Sequence, residues 1–190
     1  MENRQQFDKY DGVFISDQLA LGAYPEPDDV EDIVSAGIEC IINLVSYCGP
    51  EAMAYLNDLP EHVHWLHLGM WDGYLGDNKN YNEKLSGGYA RFVVEKAAIA
   101  MREHSPVLIH CMGGVGRSGN MAAILLAASQ QISVYRAIDD IMTKREIAEF
   151  REDGFWKEAG GEKIVELARQ VLSEPSTPPD VIRKRVLEGF

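Results

Sequence analysis

A cysteine and an arginine close the two ends of a short loop, Cys111-Met112-Gly113-Gly114-Val115-Gly116-Arg117, whose interior carries no charged side chain. Three glycines there let backbone N–H groups turn toward one point, forming a nest for an anion. A helix opening after Arg117 adds unpaired first-turn N–H groups and the positive end of its dipole. The same field stabilises a thiolate, which makes Cys111 the candidate nucleophile. The planar fork of Arg117 matches two phosphoryl oxygens at once, which a lysine does not. Ser118 is expected to donate a hydrogen bond to the sulfur and help it leave again. His110, just before the cysteine, is expected to order the loop through hydrogen bonds. Side chains are scarce in this loop because the backbone itself is the ligand.

Such a loop needs a strand that ends at the cysteine and a helix that starts near the arginine. The segment PVLIH, 106–110, reads as that strand, and the alanine-rich run from about Arg117 reads as that helix. In an open α/β sheet, ligands bind at the carboxyl ends of strands, where this pattern puts Cys111. The rest of the chain supplies the frame. GVFISDQLALGAY reads as two short strands broken near Ser16–Asp17, and PEPDDVEDIVSAG as a helix with Asp28 or Asp29 near its N-cap and Gly37 at its end. The five acids from Glu26 to Asp32 read as a solvated face at the positive end of that helix. IECIINLVS is a buried parallel-type strand in which Cys40 is a small core residue, and EHVHWLHLG is another strand. Residues 81–104 read as a helix whose start the Gly87–Gly88 pair delays. SVYRAIDDIMTKR and GFWKEAGGEKIVELARQVLSE read as two more helices. Strands alternating with helices predict an α/β fold with a central, mostly parallel sheet flanked by helices on both faces.

Composition narrows the function classes. The chain has 190 residues, 46% of them apolar and 25% charged, as in a globular domain. A formal net charge of -12 argues against a general nucleic-acid or anionic-membrane binder, without excluding an anionic substrate held at one site. The three cysteines, Cys40, Cys48 and Cys111, form no disulfide framework, which favours a reducing compartment. The first residues lack a signal-peptide apolar core, and NMAAILLAAS, the longest apolar candidate, is about half of a membrane span. A soluble, cytoplasmic monomer is expected. His62, His64 and His67 invite a metal reading, but on a strand only His62 and His64 share a face. No metal and no cofactor are expected.

HCMGGVGRSG resembles the signature loop of the cysteine-dependent protein tyrosine phosphatases, and the chain's size resembles their small dual-specificity branch. The likeness extends over roughly residues 10–160: GVFISDQLALGAY is similar to that branch's opening strands, GIECIINLV to its next helix–strand junction, and PVLIHC to the strand feeding the loop. It implies a single phosphatase domain over 1–172, with 173–190 as a turn-rich linker and short C-terminal segment packed on or trailing the domain. It also implies a metal-independent phosphatase that hydrolyses phosphomonoesters through a cysteinyl-phosphate intermediate. Cys111 would attack phosphorus while Arg117 and the loop from Met112 to Gly116 hold the oxygens. An acid must then protonate the leaving group.

Two aspartates follow the strand HWLHLGM, Asp72 in WDG and Asp77 in LGD. Relatives similar to the kinase-associated phosphatases carry the acid in an Asp-Gly pair directly after this strand, which points to Asp72. Its distance from Cys111 is greater than is usual in the family, which keeps Asp77 as the alternative. Trp71 and Tyr74 flank this loop, either as an apolar wall for a phosphotyrosine ring or, for Trp71, as an anchor to the sheet. Relatives also protect the nucleophile with a second cysteine, a part Cys48 would play here. Glutamines that orient the hydrolytic water in relatives are missing from AIDDIMTKREIAEF, where Arg145 or Glu149 is expected to occupy part of the region. That keeps a second reading alive, a phosphoresidue-binding module with little turnover. Lipid-directed relatives carry basic residues inside the loop. Their lack here, with the acidic charge, favours a single phosphoryl group on a phosphorylated protein or small phosphomonoester, with phosphotyrosine and phosphoserine/threonine both in reach.

Overall fold

Alternate residues of the strand Cys40–Val45 serve two different cores. Cys40, Ile42 and Leu44 belong to one apolar cluster, and Ile41 belongs to the other. The same alternation separates Leu19 and Leu21 from Ala20, and Val107 and Ile109 from Leu108. Period-two patterning that is apolar on both faces requires helices on both sides of the sheet. The computed structural model, which describes residues 7–45, 50–70, 89–146 and 160–175, has that layering.

Five strands form one sheet: β1 (Gly12–Ser16), β2 (Leu19–Gly22), β3 (Cys40–Val45), β4 (His64–Met70) and β5 (Val107–His110). Their order is β1-β2-β5-β3-β4, with β1 antiparallel to β2 and all other pairs parallel. The expected mostly parallel sheet is therefore present. Helix α1 (Val30–Ser35) and a 3-10 segment at Pro50–Asp58 cover one face, supplying Val30, Ile33 and Tyr55 to its core. Helices α2 (Tyr89–Glu103), α3 (Arg117–Gln130), α4 (Val134–Arg145) and α5 (Gly160–Ser173) cover the other. Helix α3 is buried from Arg117 to Ala128, and Ala122, Ala123, Ala127 and Ala128 keep it slim enough to sit among β2, β5, α4 and α5. Each large aliphatic side chain buried this way is worth about 1.5–3 kcal/mol of transfer free energy.

Several local expectations need revision. The segment at 26–37 is a 3-10 turn, Pro27–Asp29, running into the short α1, with Gly37 at φ +83 as its stop. Asp29 accepts the Glu26 N–H at 2.8 Å and closes that turn. Asp32 is more than part of a solvated face. Its carboxylate accepts backbone N–H groups from Asp8, Lys9 and Tyr10 at 2.8–2.9 Å. Burial alone would raise its pKa, but these three donors outweigh that and hold the carboxyl below its usual range. The segment at 50–58, given no element from sequence, is 3-10 helical with a kink at Met53.

Cys40 fits the core role expected of it, since burial pushes its thiol up to about 12. The histidines do not sit as the strand pattern implied. β4 begins at His64, so His62 lies exposed in the preceding turn and shares no strand face with it. His64 stacks on His104 with centroids 3.8 Å apart, and His67 Nε2–H donates to the Val45 carbonyl at 2.8 Å. Among the described residues no group of three or more His, Cys, Asp or Glu is arranged to hold a metal. Within the described residues, no single helix is long and apolar enough to cross a membrane.

Candidate active site

Strand β5 is the middle strand of the sheet, and its last residue, His110, pairs with Gly22 of β2 on one side and Asn43 of β3 on the other. Cys111 therefore leaves the sheet at the centre of its carboxyl edge. The loop of residues 112–116 then delivers the chain to α3, whose N-terminal N–H groups open toward it. Asn120 fixes the junction, with its backbone N–H and its Nδ2–H both donating to the Gly116 carbonyl, at 3.0 and 2.8 Å. Sequence reasoning passed over Asn120, although an Asn four residues into a helix is the right length to reach back one turn.

Cys111 is 3% exposed, and its Sγ lies 3.2 Å from Ser118 Oγ. The two residues expected to share the sulfur chemistry are thus in hydrogen-bond contact. Arg117 is buried beside them. Its Nη1 donates to the Leu44 carbonyl at 3.2 Å and the Met70 carbonyl at 3.0 Å, the ends of β3 and β4. The guanidinium is thereby tied to the strand that runs directly into the segment carrying Asp72. Met112 stands exposed at the rim of the loop, and Gly113 and Gly116 are exposed as well.

His110 lies fully buried in an aromatic cage. Tyr55 and Tyr24 meet its ring edge-on, with centroids 5.4 and 5.8 Å away. The Tyr55 hydroxyl contacts Nε2 at 2.7 Å, and Nδ1 contacts the Cys111 carbonyl at 3.3 Å. A carbonyl can only accept, so Nδ1 carries the proton and Tyr55 O–H donates to Nε2. Burial pushes His110 down to about 4; its hydrogen bond to Cys111 opposes this, while His67 and Arg117 add to it. The ring is neutral and orients the peptide that bears Cys111. Tyr24 adds a second tether, donating its N–H to the Met112 carbonyl at 3.0 Å. Neither tyrosine was singled out from sequence, because Tyr55 arrives on a 3-10 segment with weak periodicity.

The folded ring resists protonation and the unfolded one does not, so its pKa sits lower in the folded state. Stability is intact above the ordinary histidine value of 6.5 and is lost as pH falls from there toward 4. The expected loss is on the order of 3 kcal/mol from this one group. Urea unfolding across that range, compared with His110→Asn, should show a component of that size disappear in the variant.

Of the three loop glycines expected to use positive φ, only Gly114 does, at +67. A Cβ there would meet Arg145 Nη2 and the Gly22 carbonyl carbon at 2.6 Å and Ala23 N at 2.7 Å, whereas Gly113 and Gly116 face open space. Gly114→Ala is therefore expected to lower stability by about 2 kcal/mol or more, and Gly113→Ala by under about 1. Thermal melts of the two variants check the contrast.

Arg145 forms a two-pronged ion pair with Asp11, at 2.6 and 3.1 Å. Asp72, Asp77, Trp71, Tyr74, Cys48 and Glu149 lie outside the described residues.

A family model described as the DSP-PTPase phosphatase domain of Swiss Army Knife proteins, PTP-SAK, matches residues 15–152. The chain is 26% identical over 125 residues to the tyrosine phosphatase candidate 067L of Invertebrate iridescent virus 3. That match covers 66% of this chain, which spans 49% of the viral protein. Among solved structures, a cysteine-to-serine variant of P. aeruginosa TpbA in complex with phosphotyrosine is similar. It has a TM-score of 0.57 and 18% identity, covering 90% of this chain and 96% of that one. A mouse dual-specificity phosphatase candidate complexed with zinc tungstate gives a TM-score of 0.55 at 20% identity, covering 90% and 94%. At such identities the two structures speak for the fold. The family match takes in β2 to β5, the cysteine loop and helices α1 to α4, and on it this chain belongs to the DSP-PTPase phosphatase-domain family.

Proposed function

We propose that this chain is a metal-independent phosphomonoesterase that dephosphorylates phosphotyrosine and phosphoserine/threonine on proteins through a cysteinyl-phosphate intermediate. The observation that carries this reading is the contact of Cys111 Sγ with Ser118 Oγ at 3.2 Å, at the N-terminus of α3 and beside the buried Arg117. The thiolate attacks phosphorus while Arg117 and the loop N–H groups hold the equatorial oxygens and neutralise the charge that grows on them. Asp72, with Asp77 as the alternative, protonates the departing alkoxide and then takes a proton from the water that cleaves the S–P bond. Ser118 O–H supports the sulfur as it leaves. The loop interior carries no Lys or Arg, which favours one phosphoryl group over a polyphosphorylated lipid head. The acidic net charge speaks against nucleic-acid and anionic-membrane binding, and the three unframed cysteines speak for a reducing, cytoplasmic compartment, in which we take the chain to act as a monomer.

The test is aryl-phosphate turnover with EDTA present, comparing wild type with Asp72→Ala and Asp77→Ala. Undiminished wild-type rates under EDTA are expected. One of the two variants should lose about 10²–10⁴-fold in kcat along with the acid limb of its pH profile. Abolition by EDTA, or equal indifference to both substitutions, contradicts the scheme.

One sequence observation favours a second reading. No glutamine stands in residues 137–150 to orient the hydrolytic water. A phosphoresidue-binding module would hold a phosphopeptide for hours without releasing phosphate.

A further inference from the structure

We propose that Asp11 and Arg145 form a positioning pair that sets the phosphate loop through Gly114. This rests on the phosphatase reading above. Arg145 is the last residue of α4, which Glu146 closes in the left-handed region at φ +53, so its side chain is launched at the edge of the sheet. Its Nη2 stands 2.6 Å from where a Gly114 Cβ would be, with the Gly22 carbonyl carbon and Ala23 N pressing from β2 at 2.6 and 2.7 Å. Gly114 is wedged between a guanidinium and a strand end, which is why this glycine alone among the loop's three is forced into positive φ.

The wedge is held in place from a distance. Asp11 grips the guanidinium with both carboxylate oxygens, and the Asp11 carbonyl accepts Ala23 N–H at 3.0 Å. Next to it, Tyr10 O–H donates to the Ala23 carbonyl at 2.5 Å, and Asp32 clamps the N–H groups of residues 8–10. Residues 8–11 thus strap α1, the end of β2 and the end of α4 to one point of the loop.

A stability role explains this poorly. The Asp11 side chain is 70% exposed although that of Arg145 is only 10% exposed, and an ion pair whose acid stands in water is screened and contributes little to folding. Loop geometry is the more sensitive quantity, since small misplacement of groups that hold a reacting phosphoryl lowers rates by up to about 10²-fold.

Five proteins decide the matter: wild type, Asp11→Asn, Arg145→Met, the double variant, and Arg145→Lys as the conservative control. Each is measured for aryl-phosphate kcat and KM, tungstate affinity by calorimetry, and melting temperature. Arg145→Met should lower kcat by about 10–100-fold and weaken tungstate in parallel. Asp11→Asn should fall in the same direction by less, the double variant should be no worse than Arg145→Met, and Arg145→Lys should recover part of the loss. A fall in melting temperature with kcat and tungstate affinity unchanged would overturn the proposal, as would additive losses in the double variant. If Arg145→Met does not fold, Asp11→Asn, which preserves size at an exposed site, decides on the same two readouts. If the wild type binds tungstate without turning over substrate, the phosphatase reading fails while the positioning pair is still judged on tungstate binding.

Discussion

Cys111→Ser is expected to abolish phosphate release from an aryl phosphate, by on the order of 10⁵-fold or more, while leaving the fold and the anion site in place. The two halves of that result have separate causes. A serine hydroxyl is not ionised at neutral pH, so the field of the α3 N-terminus and Arg117 has no anion to stabilise and no nucleophile forms. The substituted atom is buried, close in size to sulfur, and remains within reach of Ser118 Oγ, now 3.2 Å from the sulfur. Stability should therefore change by less than about 1 kcal/mol. The variant should still bind tungstate, because the N–H groups and the guanidinium that hold oxyanions are untouched. Steady-state rates, a melt and a tungstate titration on the same preparation measure all three.

Arg117→Ala is expected to be nearly as damaging to kcat, about 10³-fold or more, but with a different signature. Charge develops on the equatorial oxygens as phosphorus is transferred, and the guanidinium opposes that charge where Ala cannot. Removal also strips donors from the buried carbonyls of Leu44 and Met70. Unsatisfied acceptors of this kind cost about 1–3 kcal/mol in total stability. Arg117→Ala should accordingly melt lower and lose tungstate affinity, in contrast to Cys111→Ser. Arg117→Lys keeps the charge without the fork, so it should recover stability more than rate. Equal kcat in Arg117→Lys and wild type would mean that bidentate geometry is not used.

The sequence was most readable where chemistry and local backbone coincide. Cys111, Arg117 and Ser118 fall at a strand end and a helix start, and the glycines between them mark the loop, so strand, loop and helix were visible together. The sheet was readable because Cys40–Val45 and Val107–His110 are apolar except for Asn43 and His110, a near-continuous pattern expected of doubly covered parallel strands. What stayed hidden depends on long-range contact. Asp32 looks like any acid at a helix start, and only the folded chain brings the N–H groups of residues 8–10 to it. Tyr55 lies 55 residues from His110, on a segment whose kink at Met53 breaks helical periodicity. The three loop glycines are equivalent on paper, and Gly114 is distinguished only by Arg145 and Ala23 packing against it. The histidine motif misled for the same reason: strand alternation assumed β4 to include His62, and the strand begins two residues later.

The most direct measurement is rapid acid quench during turnover of a phosphorylated peptide, followed by peptide mass mapping. A single phosphoryl group is expected on the peptide that contains Cys111, and none in Cys111→Ser. Turnover by the wild type with that peptide unmodified at every quench time, and persisting in Cys111→Ser, would contradict the account.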